Sequence, residues 1–194
     1  MEILKLPSSD LKKFGPKRAK KKRQLEKEGQ LNLFSGRILS LHSRTAFEEA
    51  LLMDEKGDLK EAKELYLKAV QKEDTVADAY CNLGIIESKG GNYAKAVNYL
   101  TLCLKQDSRH YEAHFNLANI YGEAGNLDLA KLHYEIAIEI EPEFSNSYFN
   151  LGLILAMEYK YQEAVDVLNT YCSMTSHEDQ KTALDLIDKL RGMH

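Results

Sequence analysis

The strongest constraint on this 194-residue sequence is a set of residues that recur every 34 positions. Small residues form one row, at Ala62, Ala96, Ala130 and Ala164. Glycines precede the first three members by five positions, at Gly57, Gly91 and Gly125. Large residues follow the row by four positions, at Tyr66, Leu100, Tyr134 and Leu168. A fixed period of this length indicates stacked copies of one unit. A small residue lets two helices cross closely, with a large apolar residue one turn later on the same face.

The register resembles the tetratricopeptide repeat family, whose unit is a 34-residue helix-turn-helix. The first helix of that family carries a large residue, a leucine, a small residue and an aromatic residue. The corresponding sets here are Tyr80, Leu83, Gly84, Glu87; His114, Leu117, Ala118, Tyr121; Tyr148, Leu151, Gly152, Leu155; and, more weakly, Ala46, Glu49, Ala50, Met53. Three residues depart from the pattern: Glu87 and Glu49 in first helices, and Tyr159 at a turn glycine.

The resemblance implies an all-α fold, a right-handed superhelical solenoid of about four repeats followed by a capping helix. We expect the repeats within residues 38–176, at about 43–76, 77–110, 111–144 and 145–176, and the capping helix within 177–194. The predicted helices span about 44–55, 59–71, 78–89, 93–105, 112–123, 127–140, 146–158, 161–174 and 177–190. The last segment is amphipathic, as a helix that covers the end of a stack should be.

Residues 1–37 do not follow the period and form a basic arm that we expect to be flexible. Residues 1–30 carry a net charge of +6 and residues 31–194 a net charge of −10. The densest basic run contains Lys17, Arg18, Lys20, Lys21, Lys22 and Arg23. The arm could be a solvated segment, or it could contact a nucleic-acid backbone through its charge or act as a nuclear address. Base-specific readout is not expected, because the arm has almost no aromatic residues.

A pentapeptide after the basic run resembles the motif by which bacterial replication and repair proteins dock on the DNA sliding clamp. Its residues are Gln30, Leu31, Asn32, Leu33 and Phe34. An extended peptide can place Leu33 and Phe34 in an apolar pocket while the Gln30 amide forms a hydrogen bond at the rim. The alternative is that the apolar side chains cover the exposed face of the first repeat.

Stacked repeats form a concave groove, and the resemblance implies that first-helix positions line it. One position holds Asn82, Asn116 and Asn150, spaced 34 apart, and neighbouring positions hold Phe47, Phe115, Phe149, Ile85 and Asn119. A side-chain amide can donate to and accept from the backbone of an extended peptide, whatever its sequence. Phe115 and Phe149 are expected to be exposed and to form apolar pockets. The alternative is that the asparagines stabilise the helices.

The groove chemistry narrows the expected partner. The positions that hold basic residues in carboxylate-binding members of the family carry Asp78, Cys81, Glu112, Phe115, Asn146 and Phe149 here. Capture of a C-terminal carboxylate is therefore excluded. We expect a protein or peptide partner that is extended and apolar with some positive charge, or helical.

Catalytic and metal-binding patterns are sparse in this sequence. It has no P-loop, GxSxG or GxGxxG motif, so no enzymatic activity and no cofactor are predicted. Cys81, Cys103 and Cys172 are far apart in sequence and fit free thiols, and His110 with His114 lacks a completing ligand. No metal site is predicted. The absence of long apolar runs predicts no membrane span and a cytoplasmic location.

The leading functional hypothesis is therefore a non-catalytic scaffold that binds a peptide in the concave groove. Two alternatives remain: a bacterial DNA-associated accessory factor docked on the sliding clamp through residues 30–34, and a chaperone of secreted proteins. The sequence does not indicate the oligomeric state, since stacked repeats can pair end to end.

Overall fold

The structure, a computed structural model, describes residues 44–193. The basic arm of residues 1–37 and the pentapeptide of residues 30–34 lie outside the described residues, so the hypotheses about them stay predictions. Within residues 44–193 the chain forms nine α-helices and no strand. They are α1 Ala46–Lys56, α2 Leu59–Gln71, α3 Val76–Lys89, α4 Tyr93–Gln106, α5 Tyr111–Glu123, α6 Leu127–Ile140, α7 Ser145–Met157, α8 Tyr161–Met174 and α9 His177–Arg191. The predicted helices agree with these to within two residues at each end.

The helices pack as successive antiparallel hairpins, α1 with α2, α3 with α4, α5 with α6 and α7 with α8. Each hairpin also packs against the next one, and the first helices α3, α5 and α7 touch their neighbours directly. The final helix, α9, packs against α8 and buries Ala183, Leu186, Ile187 and Leu190. The all-α helical-repeat prediction is confirmed.

The periodic rows occupy the centre of each hairpin. All four alanines of the row and the four large residues that follow them are fully buried. The turn glycines Gly57, Gly91 and Gly125 have φ angles of +83°, +76° and +78°, which a residue without Cβ adopts at low cost. The register is thus maintained by close helix crossing and by left-handed turns.

The small residue of each first helix matches the large residue that faces it. Alanine is found where the facing residue is tyrosine, as with Ala118 and Tyr134. Glycine is found where it is leucine: a Cβ on Gly152 would lie 2.6 Å from Leu168 Cγ, and one on Gly84 would lie 2.7 Å from Leu100 Cγ. Because such distances are far below van der Waals contact, the leucine repeats require glycine.

Three residues depart from the family pattern, and each has a local explanation. Glu87 is buried and forms an ion pair with Lys63, while its second carboxylate oxygen accepts a hydrogen bond from Asn92 at 3.0 Å. Tyr159 takes the place of a turn glycine with a φ angle of +63°, and its ring is exposed beside Tyr161. Glu49 lies on α1 and remains partly exposed.

None of the helices within residues 44–193 combines the length and apolar character that a membrane crossing requires. The cytoplasmic location stays a prediction.

Candidate functional site

The asparagine row lies on the first helices α3, α5 and α7, as the register requires, but it is buried. Asn82, Asn116 and Asn150 are 2%, 5% and 0% exposed. Neighbouring first helices lie close enough to cover these side chains. These amides therefore belong to the interface between first helices and do not form a row of open side chains.

Asn119 connects two hairpins through its side-chain oxygen. That oxygen accepts a hydrogen bond from the Tyr134 hydroxyl at 2.6 Å and another from Asn150 Nδ2 at 2.9 Å. Asn119 lies on α5, Tyr134 on α6 and Asn150 on α7, so the network links both helices of one hairpin to the first helix of the next. Burial raises the pKa of Tyr134 above its ordinary range, which keeps the hydroxyl protonated as a donor.

The buried asparagines of the first helices, which are the row and Asn146, differ in how completely their amides are hydrogen-bonded within the chain. Asn116 Nδ2 donates to the Glu112 carbonyl oxygen, one turn earlier in the same helix, at 2.8 Å. In contrast, Asn82 Nδ2, Asn146 Nδ2 and Asn150 Oδ1 are buried and form no hydrogen bond within residues 44–193. Buried polar groups are normally paired with protein groups, ordered water or a ligand, so these three atoms have hydrogen-bonding capacity that the chain itself does not use.

The expectation that Phe115 and Phe149 are exposed in the groove is wrong. Both are fully buried, as are Phe47 and Ile85. The rings turn into their own hairpins: Phe47, Phe115 and Phe149 lie 5.7, 5.8 and 5.2 Å from the rings of Tyr66, Tyr134 and Tyr171 respectively. Aromatic pairs at these distances stabilise the core, so the rings need no external partner.

Several other groove positions remain accessible. The Asp78 side chain is 36% exposed, and Lys89 and Glu123 are exposed near the ends of α3 and α5. Met157 at the end of α7 is also exposed, and Asn119 is half-buried. The accessible part of the surface is therefore mixed in polarity, with acidic side chains on two successive first helices.

A buried cluster that the sequence did not predict lies beneath these positions. The sulfur atoms of Cys81 and Cys103 and one ring nitrogen of His110 all lie within 4.8 Å of one another. His110 Nε2 is 3.2 Å from Asp78 Oδ1. Burial raises the pKa of the nearby Glu112 to about 7. The cysteines are free and buried, as predicted, but their distance in sequence hid their contact in the fold.

His110 and His114, which are four residues apart, do not converge. His114 instead contacts His133, with the two Nδ1 atoms 2.9 Å apart. His114 Nε2 donates to the Ser108 carbonyl oxygen at 3.2 Å, so its Nδ1 must accept from His133. Burial, followed by repulsion from His114, lowers the pKa of His133 to about 4. Both rings are therefore neutral packing groups at physiological pH.

Family models described as tetratricopeptide repeat match residues 77–110, 111–144 and 133–166. Among curated proteins, the chain is 27% identical over 124 residues to anaphase-promoting complex subunit 3 of Schizosaccharomyces pombe, covering 64% of this chain and 18% of that protein. It is 28% identical over 113 residues to the BBSome complex member BBS4 of Bos taurus, covering 58% and 22%. It is 37% identical over 108 residues to the human protein O-mannosyl-transferase TMTC3, covering 53% and 12%. The chain thus corresponds to less than a quarter of each relative's length.

Solved structures share the fold. A tetratricopeptide repeat protein of Parabacteroides merdae superposes with a TM-score of 0.63 at 23% identity, covering 76% of this chain and 59% of that one. MamA superposes with a TM-score of 0.59 at 17% identity, covering 76% and 85%. YrrB, described as a repeat protein with an unusual peptide-binding site, gives 0.59 at 22% identity, covering 72% and 71%. The matched repeats, the 34-residue register and the shared fold together show that the chain is a tetratricopeptide repeat protein.

Proposed function

We propose that this chain is a non-catalytic scaffold that binds a peptide or helix of a partner protein along the first helices of its repeats. Tetratricopeptide repeats form protein-interaction scaffolds, and two of the relatives are named as members of multi-subunit complexes. The chain corresponds to 12% of the transferase relative, and the proposal carries no transferase activity over from it.

The observation that carries the proposal is the set of unpaired amide atoms along the groove. Asn82 Nδ2, Asn146 Nδ2 and Asn150 Oδ1 are buried without a hydrogen bond in the described part of the chain. Two are donors and one is an acceptor, which is the combination that a peptide backbone can satisfy once the side chains that cover them move aside. Leaving such groups unpaired costs free energy, so a ligand that pairs them gains affinity.

The charges on the same face indicate what kind of partner fits. Asp78 and Glu123 place carboxylates on α3 and α5, and Met157 adds an apolar surface on α7. We infer that the partner segment carries apolar side chains and at least one Lys or Arg. Opposite charges at the rim chiefly increase association rate and specificity.

The proposal is tested by replacing unpaired amides with leucine, which branches at the same carbon but has no hydrogen-bonding atom. The groove variant combines Asn82→Leu with Asn146→Leu. The matched control combines Asn98→Leu with Asn169→Leu, which are exposed on the second helices α4 and α8. The full chain and both variants are used to capture proteins from the native cell, and the captured proteins are quantified by mass spectrometry.

We expect the groove variant to capture its partner at least about tenfold less than the other two, since one or two hydrogen bonds to the ligand are lost. A cooperative thermal unfolding transition of this variant shows that the larger leucine side chains are accommodated. Undiminished capture by a folded groove variant would refute the proposal. Residues 44–193 present no observation that favours clamp docking or secretion chaperoning, which stay predictions.

A further inference from the structure

We propose that Cys81, Cys103 and His110 form a binding site for one Zn²⁺ ion, or a chemically similar d-block cation, with the Asp78 carboxylate as the fourth ligand. Two thiolates, one imidazole and one carboxylate are the donor types that Zn²⁺ takes in tetrahedral sites. The proposal does not depend on peptide binding, because three of the four donors lie below the groove surface.

Three of the four proposed donors lie close together, and the Asp78 carboxylate contacts the imidazole of the third. The three principal donor atoms lie within 4.8 Å of one another, and sulfur atoms bound to one Zn²⁺ ion are about 3.8 Å apart. His110 Nε2 and Asp78 Oδ1 are 3.2 Å apart, and the same pair bound to Zn²⁺ would be separated by about 3.3 Å. Shifts of no more than about 1 Å would therefore complete the coordination of the sulfur atoms.

Each ligand is supplied by a rigid element. Cys81 and Asp78 lie on α3, Cys103 lies on α4, and His110 is the N-terminal capping residue of α5. A bound cation would thus cross-link both helices of one hairpin to the first helix of the next. Ligands from three successive helices are typical of a site that stabilises a fold rather than one that performs catalysis.

Burial distinguishes a metal site from a redox-active thiol pair. Cys81 and Cys103 are 1% and 0% exposed, whereas reactive thiols are partly exposed to their oxidants. Structural Zn²⁺ sites are closed to solvent, and three of the four proposed ligands here are buried. The Asp78 side chain is the exposed member and marks the side from which a cation can enter.

His110 offers the correct ring nitrogen at a small cost. The Ala113 amide donates to Nδ1 at 3.2 Å, which leaves Nε2 facing Asp78. Coordination through Nε2 places the ring proton on Nδ1, so the cap hydrogen bond from Ala113 is lost. One capping interaction is a small part of the free energy with which structural Zn²⁺ binds. Both cysteines bind as thiolates, so binding releases protons to solvent.

The experiment uses the full chain, purified without metal and kept reduced. Co²⁺ and Zn²⁺ are the probes: absorption of the Co²⁺ complex reports thiolate ligation, and competition with a chromophoric chelator gives the Zn²⁺ affinity. We expect one ion per chain. The Co²⁺ complex should show thiolate-to-cobalt charge-transfer bands and, separately, the ligand-field bands of tetrahedral Co²⁺. Zn²⁺ should raise the thermal midpoint.

Variants of the proposed ligands test whether the ion binds at this cluster. Cys81→Ala with Cys103→Ala should weaken Zn²⁺ binding more than about 100-fold, since even indirect changes around a metal site cost 10–100-fold. Cys172→Ala, a third thiol outside the cluster, is the matched control and should bind as the parent does. His110→Asn keeps a capping acceptor for α5 but removes the imidazole, and it should also weaken binding.

Two results would overturn the proposal. One is a folded, reduced parent chain that shows neither charge-transfer bands nor a Zn²⁺-dependent midpoint. The other is parent-like affinity in the double cysteine variant, which would place the ion elsewhere. If that variant does not fold, the Co²⁺ spectrum of the parent chain still decides whether thiolates bind the metal.

Discussion

Lys63 on α2 forms an ion pair with Glu87 on α3, so a charged contact joins the first hairpin to the second. Glu87 is 3% exposed, while a third of the Lys63 side chain is accessible. The hydrogen bond to Lys63 lowers the pKa of Glu87 below its ordinary value, and the same bond raises the pKa of Lys63. An acid thus occupies a position where the family has an aromatic residue, because Lys63 and Asn92 both donate to it.

The Lys63→Met variant should lose about 2 kcal/mol of unfolding free energy. The methylene groups of Lys63 are retained, but Glu87 remains as a buried carboxylate with a single donor, and breaking buried pairs is costly. The loss is smaller than for a fully buried pair because the Lys63 side chain is partly exposed. Chemical denaturation monitored by circular dichroism measures the change.

The double variant Lys63→Met with Glu87→Leu is the control for that prediction. Leucine occupies the equivalent place in the last repeat, at Leu155, and is buried there. Stability should recover most of the loss, since an apolar pair often replaces a buried ion pair without cost. An unchanged midpoint in the single variant would contradict the assignment.

Gly152→Ala should destabilise the fold by about 2 kcal/mol, because the new Cβ would lie 2.6 Å from Leu168 Cγ. For a chain of this size the thermal midpoint should fall by about 4–8 °C. Differential scanning calorimetry provides the measurement.

The Ala118 and Tyr134 pair suggests how to reverse that loss. A second change, Leu168→Tyr, recreates this alanine–tyrosine combination in the last hairpin. The double variant should be more stable than Gly152→Ala alone, with a coupling energy of about 1 kcal/mol. Additive losses would show that the two positions are independent.

Acid should weaken the fold through His133. Its pKa is about 4 in the folded chain against an ordinary value of 6.5, so between these values the unfolded chain binds a proton that the folded chain excludes. Stability should therefore fall as the pH drops from 6.5 towards 4. We expect the thermal midpoint at pH 5 to be roughly 3 °C below that at pH 7 from this residue, given its partial exposure.

The variant His133→Gln keeps a donor for His114 but does not titrate in this range, so it should show a shallower pH dependence. His177→Gln, at the exposed start of α9, is the control for replacing a histidine outside the pair. Equal pH profiles for His133→Gln and the parent would contradict the role of the histidine pair.

Tyr159→Gly should stabilise the chain by about 1 kcal/mol. The backbone there has a φ angle of +63°, where glycine has no Cβ strain, and the exposed ring loses only its edge contact with Tyr161. Gly57→Ala makes the reverse change at a φ angle of +83° with open space around it, and it should destabilise by a similar amount. Thermal melts that show the same sign for both changes would contradict this reasoning.

The sequence predicts the helices accurately because the 34-residue period reflects where the backbone of each hairpin must cross and turn. Ala96 and Gly91, for example, fix where a hairpin crosses and where it turns, and neither feature depends on side-chain rotamers. Every other position then follows from the register. The burial of Asn116 is harder to foresee, since it depends on how closely successive first helices approach.

The sequence predicts the site less well, because its chemistry depends on side-chain direction. Phe115 occupies a position between the groove and the hairpin interior, and only the adjacent Tyr134 and Phe144 rings reveal the direction it takes. The cluster of Cys81, Cys103 and His110 has gaps of 22 and 7 residues, unlike the short gaps of common metal motifs. The one feature of the sequence that could have indicated this cluster is that two cysteines fall on the two helices of one predicted hairpin.

Asn119 connects the third and fourth hairpins through a hydrogen bond, whereas the equivalent position in the second repeat makes apolar contacts. The equivalent residue in the second repeat is Ile85, whose apolar contacts tolerate small rotations. The hydrogen bond from Asn150 to the Asn119 oxygen crosses between the hairpins and is directional, so twisting one hairpin against the other would break it. The third and fourth hairpins should therefore resist twisting against each other more than apolar contacts alone would allow.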